Sequence, residues 1–238
     1  MKQFNWKVYI QNYPDLQFMK TQQQALNHWK RHGKNENRTD KVKGISLFFK
    51  EQTKINKITI ITPCSRPNNI KKIIDSINFD YIDEWIIVYD GSKITSFEPM
   101  NEFNEKIKQY IYTDLNGISG NPQRNYGLLQ VKNPATFIYF LDDDNIVHPD
   151  LYKLLNDIKP KKIYTFNQLN RLNGNLIEIG KIDTAMFLFD FSLNHVKEIK
   201  WVNNEYAADG KYILNIYNLH PDKWIYANNI NCYYNFLN

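Results

Sequence analysis

The sequence predicts an α/β protein in which a mixed, mainly parallel sheet lies between helices, preceded by a small helical appendage. From Lys57 onward, short β-branched and aromatic runs alternate with segments whose apolar residues recur at helical spacing, the pattern of βαβ units. Residues 137–141 (FIYFL) are apolar without a break, as a strand covered on both faces must be, and they stop against three aspartates. The first forty or so residues differ in character. They end in the polar stretch 33–43 (GKNENRTDKVK), which reads as a linker, so an appendage over 1–43 and a main domain over 44–238 are expected.

Each element has its own signal. Ala25, Leu26 and Trp29 recur at helical spacing within residues 21–32, where Thr21 can cap the helix and Gly33 can stop it. With Trp6, Val8, Tyr9, Leu16 and Phe18 ahead of it, the appendage reads as two helices. Residues 58–62 form the first strand of the main domain. Over 67–77, Ile70, Ile73, Ile74 and Ile77 share a helical face, and Pro67 sits in the first turn, where a missing N–H costs little. Residues 85–89 make a second buried strand ending at Asp90 and Gly91, and 111–113 a shorter third. A helix over 122–130 precedes the strand at 137–141, and Leu151, Leu154, Leu155 and Ile158 mark another helix. Strands are expected at 162–167 and 176–179, joined through Asn173-Gly174-Asn175, a strong hairpin signal. Residues 184–189 read as a further strand and 207–217 as a late helix.

The 238 residues are 42% hydrophobic and 23% charged, the balance of a soluble globular protein. Aromatics reach 15%, which suits stacking on bases or sugar faces as well as plain core packing. The net charge of +5 is spread along the chain rather than gathered, so nucleic acid is not indicated. No stretch approaches ~20 uninterrupted apolar residues, and the first residues lack a signal-peptide pattern, so a cytoplasmic protein without a transmembrane segment is expected. Cys64 and Cys232 lack C-x-x-C spacing and read as free thiols.

Candidate chemistry gathers where the predicted strands end, which is where ligands of open α/β sheets bind. Asp142, Asp143 and Asp144 are adjacent carboxylates that repel one another unless a cation sits among them. Their hard oxygens select Mn²⁺ or Mg²⁺, ions that bridge phosphates and stabilise a departing diphosphate. An acidic surface turn is the competing account. The exit of the first strand, ITIITPCSRP, offers Thr62, Pro63 and Arg66 as a loop under a base and ribose, with Arg66 able to pair with phosphate. A plain βα loop would read the same way. Asp90 can accept from a base N–H or ribose hydroxyls, or merely serve the turn before Gly91. In residues 120–128 (GNPQRNYGL) a flexible loop enters a helix whose first turn presents Arg124 and Asn125, suited to a diphosphate or simply a capped start. His28 and His32 lie four apart, a metal-binding spacing, but no acidic or Cys partner stands near them and packing is the better account.

These four elements, in this order, resemble the GT-A class of glycosyltransferases. The segment YFLDDDN, the pairs Thr62-Pro63 and Arg66-Pro67, and Gln123-Arg124-Asn125 are similar to segments of the animal β-1,3-glucuronyltransferases, over roughly residues 58–155. The resemblance implies a GT-A fold, a UDP-sugar donor, Mn²⁺ and an inverting reaction. It implies that Asp144, beside Asp142, binds the metal, Asp143 the ribose, and Asp90 with Arg124 the nucleotide. It fades after the aspartates, so the sugar and the acceptor, a glycan or glycoprotein hydroxyl, do not carry over. The patterns FNWKVYIQNYPDL and ALNHWKRHGKNENR resemble a small helical module attached to glycosyltransferases of giant viruses and some bacteria, which would put the protein in a host cytoplasm or virus factory. A homodimer stays open.

An inverting transferase needs a carboxylate to take the acceptor proton. Asp209 and Glu205, in WVNNEYAADGKYI, are the candidates. Asp209 starts a helical pattern similar to the one that follows the base in the inverting family of cellulose and chitin synthases, although an N-cap would look alike. Asp183, in GKIDTAMFLFD, resembles a position that touches the transferred sugar or the acceptor. His220, in NLHP, resembles a late His that contacts metal or diphosphate in many GT-A enzymes, though it also suits a turn. Two rivals remain. A sugar nucleotidyltransferase would want a glycine-rich phosphate loop where PCSRPNN has no glycine, and a non-catalytic carbohydrate-binding or scaffold protein could keep the same fold.

Overall fold

The computed structural model describes residues 4–11, 13–16, 18–36, 38, 56–100, 102–113, 117–169, 171–193 and 199–237. The chain divides into two compact units, Met1–Lys54 and Ile55–Asn238. The boundary expected between residues 43 and 44, with much of the expected linker, lies outside the described residues.

The first unit holds α1 (Trp6–Gln11) and α2 (Gln22–His28), packed around Tyr9, Leu16, Met19 and Ala25. Thr21 caps α2 as expected. Its hydroxyl accepts from the Gln24 N–H while the Gln24 side chain returns to the Thr21 N–H, a reciprocal capping box. The helix continues as a wider π-helical turn, Trp29–Gly33. Gly33 is required there because a Cβ would stand 2.1 Å from the Tyr9 hydroxyl. That hydroxyl meets His28 Nδ1 at 2.9 Å and the His28 and His32 rings lie 5.3 Å apart, so both imidazoles pack.

In the second unit the elements run β1 (Ile58–Cys64), α3 (Ile70–Ile74), β2 (Ile82–Asp90), β3 (Ile107–Tyr112), α4 (Asn121–Gln130), β4 (Phe137–Phe140), β5 (Ile146–Val147), α5 (Asp150–Leu155), β6 (Ile163–Asn167), β7 (Phe187–Asp190), α6 (Ala208–Leu219), β8 (Trp224–Ile230) and β9 (Cys232–Tyr233). Seven strands form one sheet in the order β3-β2-β1-β4-β7-β6-β8, and β5 pairs with β9 in a second, two-stranded one. In the large sheet β7 alone runs against its neighbours. Among the described residues no helix is long and apolar enough to cross a membrane.

The period-two alternation of the strands divides the core into two layers. Ile58, Ile60, Trp85, Ile87, Phe137 and Tyr139 face one layer, covered by Ile70 and Ile73 of α3 and Leu151 and Leu155 of α5. Ile61, Ile86, Val88, Ile138 and Phe140 face the other, covered by Leu128 of α4 and Tyr212, Ile213 and Ile216 of α6. Each such side chain, fully buried, contributes about 1.5–3 kcal/mol. Gly127 lets α4 approach the sheet, since a Cβ there would lie 2.6 Å from Ile61 Cγ2. Gly127→Val should therefore overpack this layer and cost about 1–3 kcal/mol, read as a lower Tm in thermal unfolding.

One expectation fails and one strand goes unforeseen. Residues 176–179 form no strand, because both edges of β6 are already paired, with β7 and β8. The Asn173-Gly174-Asn175 turn instead folds back on the end of β6, where the Gly174 carbonyl accepts from Thr165 Oγ1 at 2.6 Å. The second is an omission: β8 is a half-exposed edge strand whose Asn228 and Asn229 interrupt its apolar pattern, so nothing in the sequence marked it.

Candidate active site

The register of the parallel strands levels their carboxyl ends. Cys64 stands opposite Tyr89 and Ile61 opposite Phe140, so the loops after β1, β2 and β4 open on one edge of the sheet. Because β7 runs the other way, it is the residues before it, Asp183 and Thr184, that reach this same edge. The N-terminus of α6 lies there too. So does the chain beyond β8, where Asn235 N–H donates to Asn145 Oδ1 at 2.8 Å and Leu237 N–H to the Asp144 carbonyl at 3.0 Å.

Two adjoining clefts result. The larger, about 590 Å³, is lined by Pro63, Arg66, Asp90, Arg124 and Asp142–Asp144, with Ser65, Ser92 and residues 117–120 among the rest. The smaller, about 180 Å³, holds Asp183, Asp209, Arg171, Trp201, Tyr206 and Tyr234. Arg124, Asp142 and Asp144 line both and stand at their junction.

The three aspartates take different roles. Asp143, 3% exposed, turns toward the β1 loop, where its carboxylate accepts from the Ser65 N–H at 2.6 Å, the Arg66 N–H at 2.7 Å and Arg66 Nη2 at 2.6 Å. Asn69 Nδ2 donates to its carbonyl at 2.9 Å. With those bonds Asp143 organises the loop. Asp142 and Asp144 border both clefts, whereas Asp143 borders the larger one alone. Asp144 Oδ2 accepts from Arg66 Nη2 at 2.6 Å, and Asp142 Oδ1 from Arg124 Nη2. Two guanidinium groups thus offset the crowded negative charge. Burial pushes the Asp142 carboxyl above its usual value against the pull of Arg124, and the charges of Asp183 and Asp144 add to the rise.

Arg124 is 4% exposed and fixed on several sides. Its Nη1 donates to the Ser119 carbonyl at 2.6 Å, and its guanidinium carbon lies 4.6 Å from the centroid of the Trp201 ring. Ser119 and Gly120 both have positive φ, 55° and 76°, which turns the chain into α4. A Cβ on Gly120 would lie 2.6 Å from Pro63 Cβ, so this position demands glycine twice over. Asp90 accepts from Ser92 Oγ at 2.6 Å and from the Ser92 N–H at 3.1 Å. Burial opposes its ionisation most strongly, but those bonds and Lys93 outweigh it and hold the carboxyl below its usual value.

Asp209 is the second residue of α6 rather than its N-cap, which is Ala207. Burial, with the Asp183 charge adding to it, raises its pKa to about 6 against a hydrogen bond from the Gly210 N–H and the pull of Arg124.

Four candidates fall outside both clefts. Thr62 is fully buried, and its hydroxyl accepts from Trp85 Nε1 at 2.9 Å under the sheet. Asn125 braces the 201–203 segment, donating to the Trp201 carbonyl at 2.9 Å and accepting the Trp201 N–H at 2.9 Å. Glu205 pairs with Lys211. His220 ends α6 just before β8, whose start, Trp224, stands opposite Ile163; β8 then runs toward the cleft, so His220 sits at the far edge of the sheet from the aspartates. The reading of His220 as a metal or diphosphate contact fails for that reason. Conversely, Arg171, Trp201, Tyr206 and Tyr234 carry no local motif. Cys64 and Cys232 are buried free thiols, as expected.

The donor set at the junction fits a hard divalent ion: two carboxylates face it, and Mn²⁺ or Mg²⁺ bound beside a diphosphate commonly takes one or two from the protein. Among the described residues no three His, Cys, Asp or Glu side chains close on one point.

No curated protein matches the chain. Among solved structures it is similar to glucosyl-3-phosphoglycerate synthase from Mycobacterium tuberculosis, crystallised with Mn²⁺, UDP and phosphoglyceric acid, at 13% identity and a TM-score of 0.50, covering 73% of this chain and 68% of that one. It is also similar to a nucleotidyl transferase from Methanothermobacter thermautotroptrophicus, at 9% identity and a TM-score of 0.48, covering 73% and 87%. The first likeness shows a GT-A-type fold. The model of the family described as "Glycosyl transferase family 2" matches residues 59–201, which include all of β1 but its first residue, the aspartates and Arg124. With more than half of its length matched and its strand-end residues within the match, the chain belongs to glycosyl transferase family 2.

Proposed function

We propose that this chain transfers a sugar from a UDP-sugar to a glycan or protein hydroxyl, with inversion and with the help of Mn²⁺ or Mg²⁺. The observation that carries this reading is the pair of clefts joined at Arg124, Asp142 and Asp144. The larger has the volume of a nucleotide pocket. The smaller brings a carboxylate with a raised pKa to the place where a sugar and an acceptor would meet. Membership of the family supports sugar transfer, and the motifs that resemble those of β-1,3-glucuronyltransferases support this donor and metal.

In this reading Asp90 and the Pro63–Arg66 loop hold the base and ribose, and Arg124 neutralises the diphosphate from its fixed seat on Trp201. Asp142 and Asp144 would hold a divalent ion, which would add to the neutralisation of the leaving diphosphate. Asp209 accepts the acceptor proton as the acceptor oxygen bonds to the anomeric carbon and the bond to the diphosphate breaks. A thermal-shift titration tests the donor half. UDP with Mn²⁺ at a hundredfold excess over its Kd should stabilise the chain by about 2.7 kcal/mol, and UDP alone by much less. Indifference to every nucleotide diphosphate, with or without metal, would sink the proposal.

A further inference from the structure

The smaller cleft contains two carboxylates of unequal standing. Asp183 is locked on both oxygens. Its Oδ2 accepts from Arg171 Nη1 and its Oδ1 from the Thr184 N–H at 2.6 Å. Arg171 is itself held from three sides, by Asp183, by Gln168 Oε1 at 2.5 Å and by the face of Tyr234, 4.1 Å from its guanidinium carbon. Asp209 accepts from the Gly210 N–H at 2.7 Å and lies against the Asp183 carboxyl. Neighbouring carboxylates disfavour double ionisation, and the one with the cation and the stronger bonds keeps its charge.

We propose that Asp183 is a positioning residue rather than a sugar ligand: with Arg171 as its fixed cation it stays ionised, and its charge makes Asp209 the carboxylate to which the acceptor proton goes. The inference rests on the transferase reading for its chemistry, since the acceptor O–H bond breaks there and an Asp209 O–H bond forms, while the electron pair of the broken sugar–phosphate bond leaves with the diphosphate. The charged and titratable groups around Asp209 are Asp183 before β7, Arg171 after β6, Arg124 on α4, Asp142 and Asp144 after β4, Tyr206, and Tyr234 beyond β9. Lys211 on its own helix is already paired with Glu205. Of these, Asp183 shares the cleft with Asp209 and its charge raises the Asp209 carboxyl, and Arg171 is the cation bonded to Asp183. The two therefore act in opposite senses.

That opposition is the test. The acid limb of kcat/KM should lie near the Asp209 value of about 6 in the wild type. Asp183→Asn keeps the shape, removes the charge and should lower the limb by about one pH unit or more. Arg171→Gln should raise it by a comparable amount, and Arg171→Lys should restore most of the wild-type profile. A structural role would reduce activity equally at every pH; a limb unmoved in both variants overturns the pair. Carboxyl ¹³C NMR titration of Asp209 in the full chain, at fixed metal concentration, reads the same shifts without turnover. An Asp209 midpoint that moves down in Asp183→Asn and up in Arg171→Gln, in a chain that turns over no nucleotide sugar, would retain the pair and remove the transferase reading. Turnover with neither limb nor midpoint displaced would remove the pair alone.

Discussion

Asp209→Asn should lower kcat by about 10²–10⁴-fold, the usual contribution of a general base, with little change in the KM for the donor. Asp209 lines the smaller cleft and not the larger, so the nucleotide keeps its contacts when this carboxylate is lost. Nor does the helix lose a cap, because the residue preceding α6 is Ala207 and makes no side-chain cap. In the wild type kcat/KM should fall tenfold per pH unit below about 6, as the carboxylate takes up a proton. The sign of the linkage separates this from unfolding. A carboxyl whose pKa is raised by folding contributes most stability below its unfolded value, near 4, and that contribution is lost as pH rises through about 6. At pH 7 the Asn variant should therefore be at least as stable as the wild type while being nearly inactive, which thermal melts beside initial-rate assays can decide. Full turnover in this variant, with an unchanged acid limb, would move the base elsewhere.

The second large effect belongs to the junction. Asp144→Ala should abolish the dependence of UDP binding on Mn²⁺ and reduce transfer roughly thousandfold, since metal stabilisation of a leaving diphosphate is worth several kcal/mol. The fold should survive, because the β1 loop is tied down by Asp143. Asp143→Ala should show the reverse pattern. It leaves the Ser65 and Arg66 N–H groups unmet and costs about 1–3 kcal/mol of stability, with activity lost through the misplaced loop. Calorimetric titration of UDP with and without Mn²⁺, beside thermal melts of both variants, checks this. Wild-type metal dependence in Asp144→Ala would place the ion on other residues.

Legibility differed from element to element for physical reasons. The central strands β1, β2 and β4 were plain in the sequence because they are covered on both faces and must be apolar throughout. The Thr21 cap is legible because capping is local, decided within three residues. The expected hairpin partner at 176–179 misled because a turn signal says nothing about whether the neighbouring edge of β6 is free. In the site, the aspartates and Arg124 were visible because each sits where a strand ends or a helix begins. Thr62 and Asn125 carried the same motif signal, yet the structure turns one under the sheet and the other to the 201–203 segment.

The sequence by itself determined that an α/β sheet would carry acidic residues to the end of a buried strand and an arginine to the first turn of a helix, because strand burial and helix starts are set by neighbours a few residues apart. Only the tertiary structure decided that Asp143 is tied to the β1 loop while Asp142 and Asp144 border both clefts, that Arg171 and Tyr234 join Asp183 and Asp209, and that His220 lies at the opposite edge. Those outcomes depend on the reversal of β7, the register across seven strands and the return of the chain after β8. They are relations between residues tens of positions apart, and local spacing along the chain does not encode them.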